Sequence, residues 1–202
     1  MKKKTDVIKR IEGVLATICL LIFFVTGCGK ASAIDTTTIA IEKDGSIIQT
    51  VIEEFPMDYY DVDELKSMNQ SEVDEYNQNV SKEAVKIKNT ESDGNTVKVV
   101  MEYKNADAYY DLNGSPIYFG TVEQAQKAGY DLNVTLNSMK DDSSITKNEL
   151  MEMGDRHIVI LNENVNLKTF GTILYASEGV TCESNKKLAT VSGDGKSYIV
   201  FK

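Results

Sequence analysis

The chain has 202 residues, with 31 Asp and Glu against 22 Lys and Arg and a formal net charge of −9. Binding of nucleic acid by phosphate neutralisation needs clustered Lys and Arg, which a chain this acidic does not offer. Three cysteines and one histidine supply neither a disulfide scaffold nor a zinc ligand set.

The N-terminus departs from this composition. Lys2, Lys3, Lys4, Lys9 and Arg10 form a basic start, residues 14–25 form a mostly apolar run, and Val25-Thr26-Gly27-Cys28 follows. Crossing the hydrocarbon core takes about 20 apolar residues, so this run is too short to span as a relaxed helix. A basic start, a short apolar middle and small residues at the end make a secretory signal. The last four residues resemble the lipobox of bacterial lipoproteins, Leu/Val-x-Gly/Ala-Cys. The resemblance implies that a signal peptide, residues 1–27, is cut away and that the Cys28 sulfur carries a diacylglyceryl group. Burial contributes about 0.8 kcal/mol per CH₂ and a single chain binds only marginally, so two acyl chains suit a stable anchor. The alternatives are an ordinary secretory signal with an incidental Cys28, and an uncut spanning helix. The leader takes five of the 22 cations and two of the 31 acids, leaving 17 against 29, a net −12. Anionic headgroups repel such a domain, so its attachment has to be covalent.

Residues 28–37 read as a short polar tether. Residues 38–42 and 47–55 then flank Lys43-Asp44-Gly45-Ser46, the turn chemistry of a hairpin, and Pro56 ends the second strand. Asp61 and Glu64 stand at capping-box spacing before a helix reaching about Asn79, with Leu65, Met68, Val73 and Tyr76 expected on its inner face. A second hairpin is expected from residues 85–87 and 97–103 around Ser92-Asp93-Gly94-Asn95, followed by a short helix capped by Asn105 and stopped near Gly114. Tyr-Tyr-Asp recurs at 59–61 and 109–111 after the two hairpins, as an old duplication or by chance.

The second half continues with a strand at 117–120 and a Thr121–Gln124 capping box opening a helix that Gly129 closes. Leu132, Val134 and Leu136 alternate as a strand, residues 141–144 read as a loop, and Thr146 and Glu149 cap a helix ending at Gly154. Strands are expected at 157–161 and 172–175, then a closing hairpin pairing 188–191 with 198–201. Hairpins outnumber helical crossovers, which predicts an α+β fold with a mainly antiparallel sheet, and no linker divides residues 38–202 into more than a single domain.

No catalytic constellation stands out. His157 has no second His or Cys at ligand spacing, no G-x-S-x-G elbow is present, and Ser144-Ile-Thr-Lys147 lacks the motifs that accompany S-x-x-K in penicillin-binding enzymes. Cys182 is left unpaired once Cys19 departs with the leader and Cys28 is lipidated, and reads as a half-buried strand residue. Asp58, Asp61, Asp63 and Glu64 bring together oxygens of the kind Ca²⁺ takes, but without EF-hand register; a solvated helix start fits them better. Ten tyrosines and no tryptophan make Tyr59, Tyr60, Tyr109 and Tyr110 the candidate binding surface, while the bland reading buries one ring of each pair.

The lipobox, the Lys-Asp-Gly-Ser turn, Glu53-Glu54-Phe55, Tyr59-Tyr60-Asp61 and Glu64-Leu65 together resemble small lipoproteins of Gram-positive anaerobes such as clostridia. The resemblance implies anchoring on the outer leaflet of the cytoplasmic membrane and implies no catalytic residues. The expectation is a cell-envelope lipoprotein whose binding domain is non-enzymatic, with no cofactor, no metal and no nucleic acid. Its ligand would be a protein, peptide or glycan, met at sheet edges or at the tyrosines. The alternative is a ligand-capturing accessory to a transporter.

Overall fold

The computed structural model of the chain describes residues 36–54 and 61–202, so Cys28, Phe55, Pro56, Asp58, Tyr59 and Tyr60 lie outside the described residues. Among the described residues are four helices and thirteen strands, paired mostly antiparallel, which is the expected α+β class. Contacts divide the chain into two compact units, one containing Ile47–Gly114 and the described residues up to Thr38, the other Ile39–Ser46 and Ser115–Lys202. No change of composition marks that division in the sequence.

The first unit holds three strands, β2 (Ile47–Glu54), β3 (Val85–Asp93) and β4 (Thr96–Tyr103), in the order β2-β4-β3. In β4, Val97, Val99, Met101 and Tyr103 alternate inward and are buried, as a pleated strand with one covered face requires. Register sets Tyr103 opposite both Ile47 and Val85, and all three are fully buried. Gly94 turns the β3–β4 hairpin at φ +56°, which a residue without Cβ reaches at little cost.

Two helices cover this sheet: α1 (Val62–Asn79) packs on β3 and α2 (Ala106–Asn113) on β4. The Asp61 carboxylate accepts from the amides of Asp63 (2.8 Å) and Glu64 (3.2 Å), satisfying two donors that a helix start leaves free. The buried stripe of α1 is Asn69, Val73 and Tyr76, whereas Met68 is 46% exposed. At about 100° per residue, position 69 lies two turns from Tyr76 and nearly in line, while 68 is rotated about 80° away. The Asn77 side chain fastens the end of α1 to β3: it accepts from the amides of Ala84 and Val85 and donates to the Val85 carbonyl at 2.8 Å. Asn105 caps α2 through the Ala108 amide, and Gly114 closes it.

The second unit takes β1 (Thr38–Ile41) from Ile39 onward, and the turn after it is drawn in by Asp44, which accepts from the Ser46 amide and hydroxyl. Here β11 (Val180–Cys182), β12 (Leu188–Val191) and β9 (Val165–Thr169) pair antiparallel, with β1 next to β9. The larger sheet of this unit runs β5 (Ile117–Thr121), β8 (His157–Leu161), β13 (Ser197–Phe201), β10 (Ile173–Ala176), β6 (Leu136–Ser138), β7 (Ser144–Ile145). Two short helices, α3 (Val122–Lys127) and α4 (Lys147–Glu152), contribute Val122, Ala125 and Leu150 to its core beside Ile158, Ile160 and Val200. The expected box at Thr121–Gln124 forms reciprocally, at 2.8 and 3.1 Å.

Two expectations are corrected in this unit. Residues 188–191 and 198–201 do not pair as a hairpin: β12 bonds to β11 and β9, while β13 lies between β8 and β10. All five residues of β13 are buried, the mark of a central strand covered on both faces rather than one arm of a surface hairpin. Leu132 to Leu136 makes no ladder before Leu136, although Leu132 and Leu136 are both buried in the core; the alternation reflects side-chain insertion rather than strand pairing.

A candidate functional site on β10

The residues singled out from sequence do not converge. Tyr109 is fully buried and meets the Tyr103 ring edge-on at 5.2 Å, while Tyr110 beside it is 50% exposed, so only the second is open to a ligand. Asp61 is spent on its helix cap and Asp63 reaches Lys66 at 3.3 Å. Ser144 and Lys147 are exposed on β7 and at the start of α4. Cys182 is half-buried on β11, and burial pushes its thiol above the ordinary range against the opposing effect of Lys186. A thiol in that state is a poor nucleophile.

His157 sits among three phenyl rings, with centroids 5.1 Å from Phe170, 5.4 Å from Phe201 and 5.5 Å from Phe119. Burial lowers its pKa, with Asp155 opposing, and its Nδ1 is buried without a hydrogen-bond partner among the described residues. A triad-type base needs a group that orients its second nitrogen; rings on three sides do not supply one. This imidazole is a member of an aromatic cluster.

The groups that do converge were not marked by sequence. A groove of about 520 Å³ in the second unit runs along Thr172, Ile173, Leu174 and Tyr175, and its rim carries Lys140, Arg156, Lys186 and Lys202 against Asp141. Three consecutive residues gather three of those cations. Thr172 and Lys202 exchange amide–carbonyl bonds at 3.0 and 3.1 Å, the Ile173 amide donates to the Lys186 carbonyl at 2.7 Å, and the Leu174 carbonyl accepts from Met139, next to Lys140, at 2.8 Å. Arg156 is placed by its own backbone, which donates to Met153 and accepts from Val122, both at 2.9 Å. Gly171 is obligatory here, since a Cβ would stand 1.7 Å from the Lys202 carbonyl oxygen.

These cations are only loosely engaged by carboxylates: Lys140 helps to lower the Asp141 carboxyl, without an ion pair. Among the described residues Lys140, Lys186 and Lys202 make no ion pair, and Arg156 reaches Asp155 only through Nε at 4.0 Å. Asp141 is turned back on its own loop, accepting from the Ser143 amide and hydroxyl, which hold its carboxyl below the usual range. Leu174 and Tyr175, both half-buried, line the groove beside the fully buried Ile173. Neither His157 nor Cys182 lines it. No run or spacing at positions 140, 156, 186 and 202 foretells the cluster; residues 172–174 collect three segments distant in the chain, and Arg156 joins them from the connection between α4 and β8.

No family model, curated protein or solved structure matches this chain. Among the described residues no helix is long and apolar enough to cross a membrane, and no group of three or more His, Cys, Asp or Glu is placed to hold a metal ion.

Proposed function

We propose that the chain is a lipid-anchored binding protein of the bacterial cell envelope, held through Cys28 on the extracytoplasmic face and acting by retaining a ligand rather than by chemistry. The observation that carries this reading is the basic start, the short apolar run and Val25-Thr26-Gly27-Cys28 in that order. The anchor belongs to an acidic chain that anionic lipid would otherwise repel. The non-enzymatic part is supported by how the reactive groups are engaged: His157 among phenyl rings, and Cys182 with a raised thiol pKa. Cys28→Ser tests the anchor, with loss of acyl labelling and of membrane retention expected; labelling and carbonate-resistant retention that persist in the variant contradict it.

A second reading, ligand capture on behalf of a transporter, is favoured by one observation, the groove along β10. Its volume of about 520 Å³ lies within the range of small-molecule sites, roughly 300–1,000 Å³. Under this reading the tether keeps a solute-binding face within reach of the bilayer.

A further inference from the structure

From the cations gathered along β10 we infer that the groove is an oxyanion site for an organic phosphate, a small phosphorylated molecule with a sugar-sized body. The inference deepens the binding reading above by giving it a ligand class, and it rests on that reading. Its first ground is charge. Beyond residue 27 acids exceed cations 29 to 17, yet this groove shows four cations to one acid. Unspent positive groups set in a negative surface focus the local field and draw anions to that place.

The second ground is geometry. Arg156 and Arg10 are the only arginines of the chain, and Arg156 stands on this rim with its side chain 42% exposed. A guanidinium fork matches phosphate oxygens bidentately, and lysines add point charges around it. A carboxylate carries one charge, whereas a phosphate monoester carries up to two and presents three oxygens, so several cations are better matched by phosphate. Thr172 adds a hydroxyl-bearing residue to the lining, and the half-buried Leu174 and Tyr175 add apolar surface for a sugar or similar body. Backbone bonds at 2.7–3.1 Å hold together the chain segments that carry these four cations.

Titration of the full chain with glucose 6-phosphate, followed by calorimetry and by the amide signals of Thr172 to Tyr175, tests the inference. Saturable binding is expected, falling as salt is raised, with glucose at equal concentration giving none. Arg156→Gln with Lys186→Gln should weaken it at least tenfold with an unchanged melting temperature, while Lys196→Gln, off the groove, leaves it intact. A parallel arm uses vesicles of phosphatidylglycerol against phosphatidylcholine. Retention on the former that the double variant loses, without binding of the soluble ester, assigns the phosphate to a lipid headgroup and still supports the site. Absence of saturable binding in both arms, or binding indifferent to the double variant, overturns it. Cys28→Ser removes the anchor and leaves every residue of the groove unchanged in sequence, so a failed anchor and a failed site give different results.

Discussion

Tyr109 and Tyr110 are adjacent and chemically identical, yet the structure gives them opposite tasks. Tyr109 fills space against Tyr103, whose hydroxyl donates to Gln49 at 2.7 Å inside the first unit. Truncating a fully buried ring removes its transfer energy and leaves a cavity, so Tyr109→Ala should cost about 3–5 kcal/mol in denaturant unfolding. Tyr110→Ala should stay within about 0.5 kcal/mol of the parent, as exposed substitutions do. His157 carries a pH prediction. Burial lowers its folded pKa below the ordinary 6.5, so below that value the unfolded chain binds the extra proton. Stability is therefore present above 6.5 and is lost as pH falls from there toward the depressed value. Melting temperature should decline across that interval, and His157→Phe should flatten the decline; an identical slope in the variant would remove His157 as its source.

At the scale of the element, caps and the β3–β4 hairpin were legible, while the partners of β12 and β13 were not. Asp61, Asn105 and Thr121 all cap the helices their spacing foretells, because a cap is settled within three or four residues. Asp61→Ala should accordingly cost about 1 kcal/mol by thermal unfolding. Two strands were misassigned as partners because a Gly193-Asp194-Gly195 turn looks the same whether the chain returns to its neighbour or moves to another sheet. The continuous burial of β13 was the available signal, since Ser197-Tyr198-Ile199-Val200-Phe201 lacks the alternation of a one-faced strand. The groove was illegible for a related reason, three of its cations being joined only through backbone bonds to residues 172–174. Gly171→Ala should displace Lys202 from Thr172, with lost protection of the Thr172 amide against hydrogen exchange as the readout. Protection equal to that of the parent would show that Lys202 does not depend on the missing Cβ.

At the scale of the molecule, the proposed function depends on two features with opposite legibility. The lipobox-like stretch is read from four consecutive letters, while the groove is assembled from five segments of the second unit. They make different demands on the chain: the first needs a thiol after small residues, the second needs cations left without acidic partners. Excess acid elsewhere leaves the Lys and Arg of the groove conspicuous in the local field. The most direct test of the anchored reading is an intact-mass measurement on the protein recovered from the membrane fraction of a bacterial host. A mature chain beginning at Cys28 with a diacylglyceryl mass on its sulfur is expected; a terminus at any other residue, or a free thiol at Cys28, would contradict it.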